Sequence, residues 1–75
     1  MKMQTSNEVR LWPLVEVMAR TSRRKSAIYA DISAGRFPRP VPVGAHRRAW
    51  ISTEIEQWIA ERIAERDARG TVAHG

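Results

Sequence analysis

Three prolines at alternate positions, Pro38, Pro40 and Pro42, bar helix from the middle of this 75-residue chain. Each also pushes its preceding residue into extended backbone, so the segment reads as strand or connection. Val41 and Val43 alternate with the prolines, as in an edge strand, where a missing N–H is harmless. Gly44 through Arg47 can turn, and Arg48 to Ile51 can pair back. The expectation is a two-stranded hairpin with a basic tip formed by His46, Arg47 and Arg48.

The segments on either side have helical spacing. Residues 1–9 are polar and read as a flexible arm. Pro13 suits a first helical turn, and Leu14, Val17 and Met18 follow at i, i+3, i+4, which predicts a helix over about 13–20. Thr21 and Ser22 break it, and either can cap a second helix. Ile28 and Ile32 give that helix its buried stripe, and Gly35 supplies the left-handed stop. Beyond the hairpin, Ser52 or Thr53 caps a third helix, with Thr53 and Glu56 at capping-box spacing. Ile55, Trp58, Ile59 and Ile63 form its apolar face and Gly70 ends it. The expected architecture is mainly α with a small β-hairpin, a winged helix-turn-helix running helix–turn–helix–hairpin–helix. Residues 10–69 form the domain and 70–75 a tail.

A chain of this size buries only about 60% of its unfolded surface, which leaves little room for an enclosed catalytic cavity. It has no cysteine and two histidines, His46 and His74, so no disulfide framework or Cys-based zinc site is expected. No carboxylate pair or Gly-rich phosphate loop stands out. The reading is a non-enzymatic protein with no cofactor and no metal. No apolar run reaches membrane-spanning or signal-peptide length, and the expected location is cytoplasmic, at the nucleoid.

Thirteen Lys and Arg oppose eight Asp and Glu, for a net charge of +5. Residues 1–50 hold ten basic and three acidic side chains, and residues 51–75 hold three basic and five acidic. A polyanion would therefore meet the first two thirds of the chain. With Ile28 and Ile32 turned inward on a helical wheel, Arg23, Ser26, Ala30 and Ser33 turn outward. Lys25 and Tyr29 lie along one shoulder and Ala27 along the other. A helix that is small in its middle and basic at its start suits a DNA major groove. The candidate DNA-binding residues are Arg23, Arg24, Lys25, Ser26, Ala27, Tyr29 and Ala30 on this helix. Arg36 and Arg39 follow it, and His46, Arg47 and Arg48 stand on the hairpin. The plainer alternatives are a solvated basic helix and an edge strand charged against aggregation.

Several of these residues occur in a pattern that resembles a known family. Ser26-Ala27-Ile28-Tyr29, then Gly35-Arg36-Phe37-Pro38-Arg39-Pro40-Val41, then Trp50, then Glu54-Ile55-Glu56-Gln57-Trp58-Ile59-Ala60-Glu61-Arg62 are similar to the AlpA-type regulators of phages and prophages. Those are relatives of small excisionases with a MerR-like winged helix-turn-helix. The likeness spans roughly residues 10–63. It implies that Phe37, Trp50 and Trp58 are scaffold and that the second helix is the DNA reader. The chain departs from the pattern before that helix. Ser22, Arg23 and Arg24 replace the usual Gly, aliphatic residue and Ser, so the usual Ser cap is absent and the helix is expected to start from Thr21 or Ser22.

The resemblance implies a sequence-specific regulator of prophage-type genes, a positive one by expectation, with double-stranded DNA as partner. RNA polymerase or an integrase is a further candidate partner, and a monomer or a weak DNA-assisted oligomer the expected state. An excisionase-like factor that bends DNA for an integrase is one alternative. A protein-binding adaptor using the acidic third helix (Glu54, Glu61, Glu65, Asp67) is another, against the plainer reading of a solvated face with pairs such as Glu65–Arg69.

Overall fold

The backbone follows the helix–turn–helix–hairpin–helix order. The computed structural model describes residues 8–73, with side chains through residue 69. Most of the expected arm and the last two residues of the expected tail lie outside the described residues. The elements are β1 (Leu11–Pro13), α1 (Leu14–Thr21), α2 (Lys25–Ser33), β2 (Val41–Gly44), β3 (Arg47–Ile51) and α3 (Ser52–Ala73).

The hairpin is not two-stranded on its own. β1 adds to it, giving an antiparallel sheet of order β1-β3-β2. Leu11 pairs with Ile51, Trp12 with Trp50 and Pro13 with Ala49. Residues directly opposite each other share a face, so Trp12 and Trp50 both enter the core. Pro13 ends an edge strand and serves as the N-cap of α1, at φ −71° and ψ 167°. Its missing N–H is tolerated in both roles. The proline-rich strand β2 is the opposite edge, and its ladder is irregular between Pro42 and Gly44. Ala45 and His46 form the turn.

The start of α2 differs from expectation. Thr21 is the last residue of α1, and its hydroxyl donates back to the Val17 carbonyl (2.8 Å). Ser22 caps the end of α1 in the left-handed region at φ 59°, its N–H bonded to the Met18 carbonyl (2.8 Å). Neither caps α2. The N-cap is Arg24, which has no side-chain capping bond. The two hydroxyl residues resembled a helix start because the same chemistry also closes a helix end.

The end of α2 matches expectation. The Arg36 N–H donates to the Asp31 carbonyl (2.8 Å) and the Gly35 N–H to the Ile32 carbonyl (3.0 Å), a Schellman closure. Gly35 sits at φ +76°, with nothing within 4 Å of the position a Cβ would take. A Gly35→Ala substitution therefore costs only backbone strain, about 1 kcal/mol. A urea melt should show that loss, and an unchanged midpoint would mean that the closure does not need glycine.

The core is Trp12, Val17, Ile28, Phe37, Trp50 and Ile55, with Leu14, Met18, Tyr29, Ile32, Trp58 and Ile59 packed against it. Ile63 lies beyond that core and is 47% exposed, so the apolar face of α3 is shorter than its sequence pattern. Gly70 does not end the helix, which runs to Ala73. Glu65 pairs with Arg62 (2.9 Å), one turn before it, and not with Arg69. Ser52 is buried and ties the start of α3 to the residue before β1. Its N–H donates to the Arg10 carbonyl (2.8 Å) and its hydroxyl accepts the Arg10 N–H (2.8 Å). Among the described residues no helix is long and apolar enough to cross a membrane.

Candidate nucleic-acid interface

Helix α2 is buried on one side only. Ile28 is fully buried, while Arg24, Lys25, Ser26, Ala30 and Ser33 are exposed. Ser26, Ala30 and Ser33 are spaced four and three apart, so they form one outward strip with no large side chain. Ala27 and Tyr29 are half-buried on the two shoulders.

Tyr29 joins the helix to the hairpin. Its ring meets Trp50 edge to face at 6.2 Å. An open groove of about 450 Å³ runs between the two elements, with Lys25 and Tyr29 on one wall and His46, Arg47 and Arg48 on the other. A second groove of about 600 Å³ continues past Tyr29 and Ser33 to Arg39 and Arg48. The fold thus brings the shoulder of α2 beside the hairpin, two regions about 20 residues apart in the chain.

Ion pairing separates the cations into two groups. Arg10, Arg20, Arg23, Arg36, Arg62 and Arg66 each have a carboxylate partner. Among the described residues Arg24, Lys25, Arg39, Arg47 and Arg48 have no acidic partner within ion-pair distance, and all five are exposed. The unneutralised positive charge therefore lies on and around α2 and the hairpin. Among the described residues Arg69, at the far end of α3, is the one further exposed Lys or Arg without such a pair.

Arg23 occupies a different setting from the one its wheel position suggested. It precedes α2, is half-buried, and bonds to the Asp31 carboxylate. Its guanidinium also lies 6.0 Å from the Trp58 ring centroid. Arg36 reaches the other Asp31 oxygen at 3.4 Å. Asp31 was not among the sequence candidates. Arg23 and Asp31 are eight residues apart, which on a continuous helix would separate them by about 12 Å along the axis. They meet because Arg23 lies in the turn and its side chain folds back.

The scaffold tryptophans are anchored through their indole N–H groups. Trp50 Nε1 donates to the Pro38 carbonyl (3.0 Å) and Trp58 Nε1 to the Arg36 carbonyl (3.1 Å). Phe37 is buried and meets Trp58 edge to face at 5.1 Å. Together these contacts pin the link from α2 to β2, which sets the position of the hairpin relative to the helix.

Residues 9–63 match the family model described as "Prophage CP4-57 regulatory protein (AlpA)". The chain is also 41% identical over 51 residues to a protein of Enterobacteria phage P4 described as "Uncharacterized protein ORF88". That alignment covers 68% of this chain and 58% of the phage protein. No solved structure matches the chain. The family match covers most of the chain and both elements of the candidate interface, and the chain belongs to the AlpA family of prophage regulatory proteins.

Proposed function

We propose that the chain is a sequence-specific duplex-DNA-binding transcription regulator, a positive one, of prophage-type genes. The observation that carries this reading is the concentration of unpaired, exposed cations on α2 and the hairpin. A major groove about 12 Å wide admits a helix whose outward strip is small. The Ser26–Ala30–Ser33 strip meets that requirement, and Arg24 and Lys25 stand at the start of the helix, where base edges and phosphates are nearest. Tyr29 and Ala27 border the strip. The hairpin then acts as a wing, with Arg47, Arg48 and His46 on adjacent backbone or minor groove and Arg39 between the two elements. Residues 10–69 are the DNA-binding unit in this reading.

Phosphate contacts make affinity fall steeply with salt. A duplex titration should show a loss on the order of a thousandfold between low and moderate salt. Arg47→Ala should lower affinity for the operator and for a scrambled duplex alike, and reduce the salt slope by about one unit. Binding that does not respond to salt would remove the DNA reading. Unchanged affinities for Arg47→Ala would remove the wing and leave the charge at its tip as protection of an edge strand.

A further inference from the structure

Asp31 is the only carboxylate between Glu16 and Glu54, a stretch with eight Lys and Arg residues. It sits within α2 itself, its side chain is 15% exposed, and it faces two arginines. The two are held unequally. Arg23 bonds directly to Asp31 and is also braced by Trp58. Arg36 makes the longer contact, at 3.4 Å, and its side chain is 70% exposed.

The backbone of Arg36 is fixed while its head is not. Its N–H is bonded to the Asp31 carbonyl and its C=O accepts the Trp58 indole N–H. Its guanidinium can therefore turn to an outside anion once Asp31 no longer holds it, without moving the fold. A carboxylate already on that guanidinium competes with phosphate for the same donors.

We propose that Asp31 is a positioning residue that restrains sequence-independent DNA affinity. It acts through Arg36, which it withholds from phosphate, while its bond to Arg23 fixes the turn before α2. This inference rests on the DNA-binding reading above. Phosphate contacts supply essentially all non-specific binding, so one withheld cation has a measurable effect there. A merely structural Asp31 predicts the opposite sign, because loosening α2 weakens binding.

The test is a fluorescence-anisotropy titration of a scrambled duplex across a range of salt. It uses the wild-type chain, Asp31→Asn, Arg36→Ala and the double variant. Asp31→Asn is expected to bind about three- to tenfold tighter at low salt, with a slope steeper by about one unit. Arg36→Ala alone is expected to lower the slope by much less than one unit, because Asp31 already holds that guanidinium, and the double variant to return to the wild-type slope. Weaker binding or an unchanged slope for folded Asp31→Asn overturns the proposal. So does a full-unit fall for Arg36→Ala alone, a result that does not depend on Asp31→Asn folding. A wild-type chain that binds no duplex refutes the interface and this inference together. Wild-type binding without the Asp31→Asn gain refutes only the restraint.

Discussion

Trp50→Ala is expected to leave the chain unfolded, or nearly so, at room temperature. Trp50 lies in the central strand of the sheet and is fully buried. It pairs in register with Trp12, meets Tyr29 edge to face at 6.2 Å, and donates its indole N–H to the Pro38 carbonyl. Truncation removes the largest fully buried side chain and leaves that carbonyl without its donor. Large-to-small changes of this type cost about 3–5 kcal/mol. Native domains hold about 0.05–0.15 kcal/mol per residue, about 4–11 kcal/mol for a chain of 75 residues, so the loss is a large fraction of the total and all of it at the lower end. Trp50→Phe keeps most of the volume and loses the N–H, and should cost clearly less. Urea denaturation followed by far-ultraviolet circular dichroism measures both. A Trp50→Ala protein that unfolds cooperatively within about 1 kcal/mol of wild type would mean that the core does not depend on this indole.

The order of elements was legible because its signals are local. Prolines, a helical apolar period and a glycine at Gly35 each act within a few residues. β1 was not legible for the opposite reason. Leu11, Trp12 and Pro13 are a strand only because Ile51, Trp50 and Ala49 lie opposite them, about 40 residues away. No period can be read in three residues. Thr21 and Ser22 misled because hydroxyl side chains serve both ends of a helix, and in this chain they close α1. Gly70 misled because one glycine costs a helix only about 1 kcal/mol, which a long helix tolerates.

The site was legible to a similar degree. Its outward strip followed from the wheel once Ile28 and Ile32 were turned inward, and Ser26, Ala30 and Ser33 are exposed as that requires. Arg23 was placed on the same wheel, but the helix starts two residues later and the side chain turns to Asp31. The carboxylate that organises this corner stands out in the sequence only as a lone acid among eight basic residues, which does not say which of them it meets. Its importance comes from a turn geometry that only the folded chain supplies.

Ala30→Glu is expected to abolish DNA binding while leaving the fold intact. Ala30 is exposed at the middle of the outward strip of α2. Its neighbours three and four residues away, Ser26, Ala27, Ser33 and Ala34, are all uncharged, so no cation on the helix stands ready to neutralise a new carboxylate. In solution the change costs only a few tenths of a kcal/mol of helix propensity. In a closed groove the carboxylate meets phosphates, and like charges brought together at an interface cost several kcal/mol, a loss of at least about a hundredfold. Ala60→Glu is the matched control. Ala60 is also exposed and helical, but it lies on α3, away from the cluster of unpaired cations, and the change in net charge is the same. It should reduce affinity only through the long-range field, by a few-fold that disappears as salt rises. Gel shift against the operator and thermal melts of both variants decide the matter. If the two folded variants lose affinity equally, charge alone is responsible, and α2 is not the element that enters the groove.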